Sequence, residues 1–323
     1  MRRLGCIVLL IGVAVTAFIA FRFVYGWSEK GPATQDVSIT VPEGSTLSDA
    51  AVLLKRGGAV RSADAFLTRA KLFGAGKSIK AGEFVIPAGA SNSDILSILQ
   101  GGKTLTRLVT IPEGMPSILV HERLMANDQL TGDIAVPEEG SVLPDSYAFD
   151  KGEARAVVLK RMQAAMDKAL AKLWAERAPN TIAKSAREAI ILASIVEKET
   201  GVPLERPMVA GVYSNRLRTN MMLQADPTII YPITRGKPLG RRIRKSEIAA
   251  VNDYNTYAMV GLPKGPIANP GRLSILAVLH PAQTKALYFV ADGKGGHIFA
   301  DTYQQHNDNV RKWFEIRRAR GEL

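Results

Sequence analysis

Two carboxylates and a lysine end an apolar run in this chain. Residues 193–201 read ASIVEKETG, where Glu197 and Glu199 close the stretch from Ala189 to Val196. Helical residues two apart point about 200° away from each other, so the two glutamates cannot share one narrow site. Neighbours three, four and seven residues back place Glu199 above Leu192, Ile195 and Val196. The same spacing places Glu197 above Ile190, Ala193 and Ser194, a less greasy set. An apolar setting disfavours the carboxylate form and raises the pKa. A carboxylic acid still protonated near neutral pH can protonate a leaving group. On this stretch alone the plainer account, a charged helix end meeting water, stands ahead.

Other chemistries find less support. His121, His280, His297 and His306 show no ligand spacing such as H-E-x-x-H, so no metal and no cofactor is expected. GKGGH at 293–297 lacks the ending and context of a phosphate loop, and no G-x-S-x-G elbow occurs. Cys6 is the only cysteine, which excludes a disulfide framework and a cysteine-rich metal site. Asp226, in QADPT, is the best second carboxylate, and its plainer role is turning the chain before Pro227. The net charge of +12 favours anionic partners. No nucleic-acid recognition motif accompanies it. The densest basic run, RGKPLGRRIRK at 235–245, reads as a solvated loop.

The elements that must position these residues emerge from the pattern of the chain. Leu4 to Phe21 carries no charge, and the apolar stretch resumes after Arg22 as FVYGW. A bilayer core of about 30 Å needs roughly 20 apolar residues, so residues 1–27 are expected to form an uncleaved transmembrane anchor. Arg2 and Arg3 favour a cytoplasmic N-terminus, with Arg22 weakening the contrast. Residues 28–36 read as a linker. SITVPEG at 38–44 and LVTIPEG at 108–114 then repeat a strand, a Pro-Glu-Gly turn and a helical pattern. Residues 37–132 are therefore read as small β/α units. PEEGSVLPDSYAFD reads as a connector, with a larger domain at 133–323 behind it. That domain is expected to hold helices at 156–178, 182–200 and 206–217, a hairpin in KALYFVADGKGGHIFADT and a terminal helix at 303–319.

Several long words in order carry a resemblance: ASIVEKET, NRLRTNMMLQADPTIIY, NDYNTYAMVGLPKGPIANPG, LHPAQT and LYFVADGKGGHIF. The chain resembles the endolytic murein transglycosylases of the MltG (YceG-like) family from Val37 to Trp313. The resemblance implies an α+β protein with three parts: a transmembrane helix, a small LysM-like β/α peptidoglycan-binding region, and a mixed α/β catalytic domain. The wider lytic transglycosylases carry a Glu-Ser pair, then a Gln after apolar residues, then Tyr-Asn. Here Glu199-Thr200, Gln224 and Tyr254-Asn255 fall in that order, with Thr keeping the hydroxyl. By that likeness Glu199 is the catalytic acid. Glu197, Thr200, Gln224, Asp226, Tyr254, Asn255 and Tyr257 bind substrate or support the site. The implied reaction cuts the MurNAc–GlcNAc bond inside glycan strands and leaves a 1,6-anhydro-MurNAc end. The implied setting is the inner membrane, single-pass, with the catalytic domain in the periplasm near the peptidoglycan synthases. A lysozyme-like hydrolase and a non-catalytic wall-binding scaffold are the rival classes.

Overall fold

The structure, a computed structural model, describes residues 2–74, 76–102 and 107–322, with side chains described from residue 10. The side chains of Arg2, Arg3 and Cys6 lie outside those described. The chain divides into two compact units, 1–107 and 108–323.

The first unit begins with helix α1 (Arg2–Ser28). Its segment Leu10–Ser28 has a mean hydropathy of 1.7 and is long and apolar enough to cross a membrane. Leu10, Phe18 and Phe21 are exposed, as an unpartnered apolar helix requires. The end of α1 is tied down: Arg69 Nε donates to Phe23 O at 3.0 Å and Asn92 Nδ2 to Gly26 O at 2.7 Å. Residues 28–36, expected as a linker, are held as well. Gly31 N donates to Gly89 O, and Gly89 N to Ala33 O.

Strands β1 (Val37–Val41) and β2 (Gly82–Ile86) pair antiparallel from Val37↔Ile86 to Val41↔Gly82. Ile39 and Val41 alternate inward, as a half-buried strand demands. Helices α2 (Leu47–Arg56), α3 (Ala63–Phe73) and α4 (Asn92–Gly101) cover the pair. Leu54, Phe66, Phe84, Ile95 and Leu99 form their shared core. Reciprocal caps start two of these helices, Thr46 with Asp49 and Ser91 with Asp94.

In the second unit, β3 (Arg107–Thr110) pairs with β4 (Ser146–Phe149). Helices α5 (Ser117–Met125) and α6 (Arg155–Ala175) complete that corner. Val109, Ile111, Val120 and Leu124 share a core with Val142, Tyr147, Val158 and Met162. This common core explains why the chain divides after residue 107 rather than at 132. The second copy of the repeated phrase packs with the segments C-terminal to it, and the expected connector supplies a strand. Arg155, 9% exposed, seals the corner by donating to the carbonyls of Leu124, Met125, Asn127 and Gly132.

The main core surrounds α7 (Ala186–Glu199). It packs against α8 (Arg206–Arg218), α9 (Asp226–Thr234) and α11 (Arg272–Leu279). The short α10 (Lys245–Ile248) falls within the basic run's surroundings. Strands β5 (Tyr288–Ala291) and β6 (His297–Ala300) form the expected hairpin, from Tyr288↔Ala300 to Ala291↔His297. Helix α12 (Tyr303–Ala319) ends the chain, with a Thr302–Gln305 capping box. The whole is a mixed α+β architecture.

Candidate active site

Helix α7 positions both glutamates. Ser185 caps its start by accepting from Glu188 N, and Ala189 to Val196 are all buried. Past this run the helix ends on two carboxylates, and the two turn in different directions.

Glu197 is enclosed, its side chain 4% exposed. Arg206 Nη2 donates to its Oε1 at 3.0 Å, and Gly271 N donates to its Oε2 at 2.8 Å. The same Arg206 nitrogen reaches Glu113 Oε2 at 2.9 Å. Glu197 is therefore saturated, and it clasps the Pro-Glu-Gly turn at 112–114 and the chain at Gly271 to the end of α7.

Glu199 is different. Its Oε1 is buried without a hydrogen-bond partner among the described residues. Burial pushes its pKa up to about 7, and the negative charge of Asp226 pushes the same way. A hydrogen bond from the Tyr213 phenol and the positive charge of Arg216 oppose the rise without cancelling it. Tyr213 is 1% exposed, and burial raises its own pKa well above the usual value. Arg216 is fixed by donating from Nε to Leu287 O and from Nη1 to Leu223 O, each at 2.7 Å. Tyr213 and Arg216 stand three apart on α8 and so share a face. Sequence reasoning missed both, although a polar pair at that spacing inside a buried helix was the available signal.

The segment after α8 brings in the next residues. A buried threonine pair, Thr228 and Thr256 with hydroxyls 2.9 Å apart, joins the 223–228 strip to the 255–257 strip. Ala225 N donates to Thr256 Oγ1, and Gln224 N to Thr256 O. Gln224 thereby sits exposed, in left-handed backbone at φ 51°. Asp226 is the first residue of α9, and its Oδ1 accepts from Tyr257 Oη at 2.6 Å. Its place in the first turn of α9 fits the plainer role expected for Asp226, and this phenol contact and its field on Glu199 come in addition.

The other sequence candidates have contacts of their own. Asn255 is fully buried, with Nδ2 donating to Ile248 O and Ala250 O while Oδ1 accepts from Tyr257 N. Its side chain is spent on holding the loop that carries Tyr257. Thr200 donates to Glu205 Oε2 and accepts from Val202 N, shaping the turn after the acid. Glu205 in turn binds His297 through Nδ1 and backbone N, each at 2.8 Å. Tyr254 lies against Tyr231, ring centroids 4.9 Å apart, in a cleft that also includes Glu139. Burial raises the Glu139 pKa, a further group that the sequence did not reveal. Among the described residues no three His, Cys, Asp or Glu side chains gather to hold a metal ion.

The arrangement is thus one poised proton donor, a second carboxylate close enough to tune it, and the phenol and guanidinium groups of Tyr213, Tyr257 and Arg216 in its field. Comparison with known proteins agrees in kind. The YceG-like family model matches residues 39–312. An endolytic murein transglycosylase of Bacillus subtilis (strain 168) is 28% identical, over 91% of this chain and 91% of that protein. One of Streptococcus pneumoniae serotype 2 (strain D39) is also 28% identical, over 85% of this chain and 58% of that longer protein. The crystal structure of a yceG-like protein from Listeria monocytogenes is similar at a TM-score of 0.54 and 26% identity. It covers 85% of this chain and 98% of that one.

Proposed function

The chain belongs to the YceG-like family, and we propose that it is an endolytic peptidoglycan lytic transglycosylase. The observation that carries this is the buried carboxyl of Glu199, protonated near neutral pH and with one oxygen unpaired. Glu199 gives its proton to the oxygen joining MurNAc C1 to GlcNAc, and that C–O bond breaks. Positive charge grows on the MurNAc ring. The ring's own six-hydroxyl attacks C1 and returns its proton to the Glu199 carboxylate. The product is a 1,6-anhydro-MurNAc end, no water is consumed, and the acid is restored. Gln224 and the Tyr257–Asp226 pair orient the sugar at the mouth. Tyr213 and Arg216 stabilise the carboxylate in the interval after it has lost its proton.

The apolar α1 supports a single-pass anchor in the inner membrane with the catalytic unit in the periplasm. The β/α unit serves as a LysM-like contact to glycan, and the enzyme ends nascent strands near the synthases. One observation favours a second reading. Asp226 beside Glu199 is the second carboxylate that hydrolysis by water uses. The product separates them, because a hydrolase leaves a reducing MurNAc one water heavier than the anhydro end.

The test is Glu199→Gln in the full chain, with purified sacculi and mass spectrometry of the released fragments. Anhydro ends should fall by a factor of about 10²–10⁴ or more, the usual contribution of a general acid. Sacculus binding should persist. Wild-type release should decline as pH rises through about 7, since the working form is the protonated one. Undiminished anhydro release by the variant defeats the assignment.

A further inference from the structure

Helix α3 of the first unit is fastened to the apolar helix α1 by residues of the apolar segment itself. Phe23 and Trp27 stand one turn apart on α1, and both touch Phe73 at the end of α3, with ring centroids 5.9 and 5.5 Å away. Arg69 lies over the Phe23 ring, 5.2 Å from its centroid, and also donates to Phe23 O. Gly26 allows this approach, since a Cβ there would meet Arg69 Nη2 at 2.6 Å.

Helix geometry turns these contacts into depths. A hydrocarbon core of about 30 Å takes roughly 20 helical residues at about 1.5 Å each. The uncharged run begins at Leu4, so in a helix along the bilayer normal the core ends near Phe23. Trp27 then lies about 6 Å farther out, inside a headgroup layer of about 5–7 Å, where an indole settles. A ring that touches both residues shares their depth, so Phe73 reaches the edge of the hydrocarbon. Arg69, Leu72 and Phe73 are three and four residues apart and share one face of α3. Leu72 is 67% exposed on that face, an apolar side chain with no protein cover.

A cavity of about 340 Å³ opens at the level of Trp27. Trp27, Phe73 and Leu96 form its apolar side, and Lys77, Ser93 and Ser97 its polar side. The acids closest in sequence to its lining are engaged elsewhere: Asp94 in the Ser91 cap, Glu29 with Arg22 and Arg61. Neither Arg69 nor Lys77 has an ion-pair partner among the described residues. The face therefore joins an exposed apolar side chain to two cations at headgroup depth.

Resting on the reading of α1 as a membrane anchor, we propose that this face is a second membrane contact and that its cavity takes the headgroup of an anionic phospholipid. Leu72 and Phe73 enter the acyl boundary, the Arg69 guanidinium snorkels toward the phosphates, and Lys77 with the two serine hydroxyls meets the bound headgroup. The first unit then lies on the bilayer, and α1 leaves the membrane through a fixed joint.

The experiment uses the full chain in nanodiscs of phosphatidylcholine and phosphatidylglycerol, with Cys6→Ser and a nitroxide on one introduced cysteine. Oxygen concentrates in lipid, and a nickel chelate stays in water. Labels on Val15→Cys, within α1, and on Leu72→Cys should both be reached by oxygen in preference to nickel. Nickel access at residue 72 with oxygen access at residue 15 overturns the inference while the anchor stands. Nickel access at both defeats the anchor reading, and the second contact with it. Native mass spectrometry of the full chain, taken from detergent with equal amounts of the two lipids, tests the cavity. Wild type should retain phosphatidylglycerol over phosphatidylcholine. Lys77→Gln, checked for folding by its melting temperature, should cut that preference about fivefold, the weight of one cation at the surface. No preference in wild type, or one that Lys77→Gln leaves in place, overturns the headgroup site.

Discussion

The Pro-Glu-Gly phrase occurs at 42–44 in the first unit and at 112–114 in the second, with the same backbone and different surroundings. Gly44 and Gly114 both adopt left-handed φ, 79° and 72°, between a strand and a helix. Around Gly44 the space for a Cβ is open, and Glu43 is exposed. At the second copy, Glu113 is bound by Arg206, and a Cβ on Gly114 would meet Glu197 Cγ at 3.3 Å. One copy only turns the chain. The other turns it under the end of the helix that carries the acid. A local code can thus be repeated intact while its partners decide whether it serves a site.

The largest break in this contrast is at Arg206. Arg206→Leu leaves the enclosed Glu197 carboxylate without its cation and should cost about 3–5 kcal/mol in urea unfolding, with cleavage reduced. The matched change in the open copy, Glu43→Ala, should stay within about 0.5 kcal/mol and leave cleavage untouched. Next come the glycines. Gly44→Ala should cost about 1 kcal/mol from its φ alone. Gly114→Ala adds crowding against α7 and should cost about 2 kcal/mol, with a lower cleavage rate. Equal costs at the two glycines would erase the distinction.

The remaining contrast is in pH. Glu199 has a folded pKa of about 7, so between the ordinary carboxylate pKa and 7 the native state holds the extra proton. Stability from this group is lost as pH rises through that window, and Glu199→Gln should be more stable than wild type above neutrality, by about 3 kcal/mol. Asp49, in the capping box after the first turn, has a pKa lowered by its bonds to Thr46. Its contribution is present above the ordinary value and is lost as pH falls through the folded one. Melts of Glu199→Gln and Asp49→Asn should both converge on wild type in acid and diverge from it at higher pH in opposite senses, the first variant more stable and the second less.

Periodicity made the long elements legible. Helices α6, α7, α8 and α12 and the β5–β6 hairpin arise from their own spacing, and the start of α2 is written in Thr46 and Asp49, three residues apart, which cap it. Helix α9 was hidden because Pro227 and Pro232 read as turns, although a proline at the second position suits a helix start. Strand β4 was hidden because its partner β3 lies far away in sequence. The separation of Glu197 from Glu199 was legible from helix geometry alone. Tyr213 and Arg216 were not, because their value comes from facing a carboxylate on another helix. Asn255 carried the right word but points inward, since the carbonyls of Glu247, Ile248 and Ala250 claim its amide.

Gln224 has one more lesson. A side chain held in left-handed backbone costs roughly 1 kcal/mol that glycine would not. Its neighbours Leu223 and Ala225 are fully buried, so the residue cannot relax by shifting. Laboratory evolution for heat tolerance alone would drift toward glycine at this codon, whereas, on the role proposed for Gln224 at the sugar, selection for turnover would keep the amide. The two pressures meet at a single residue.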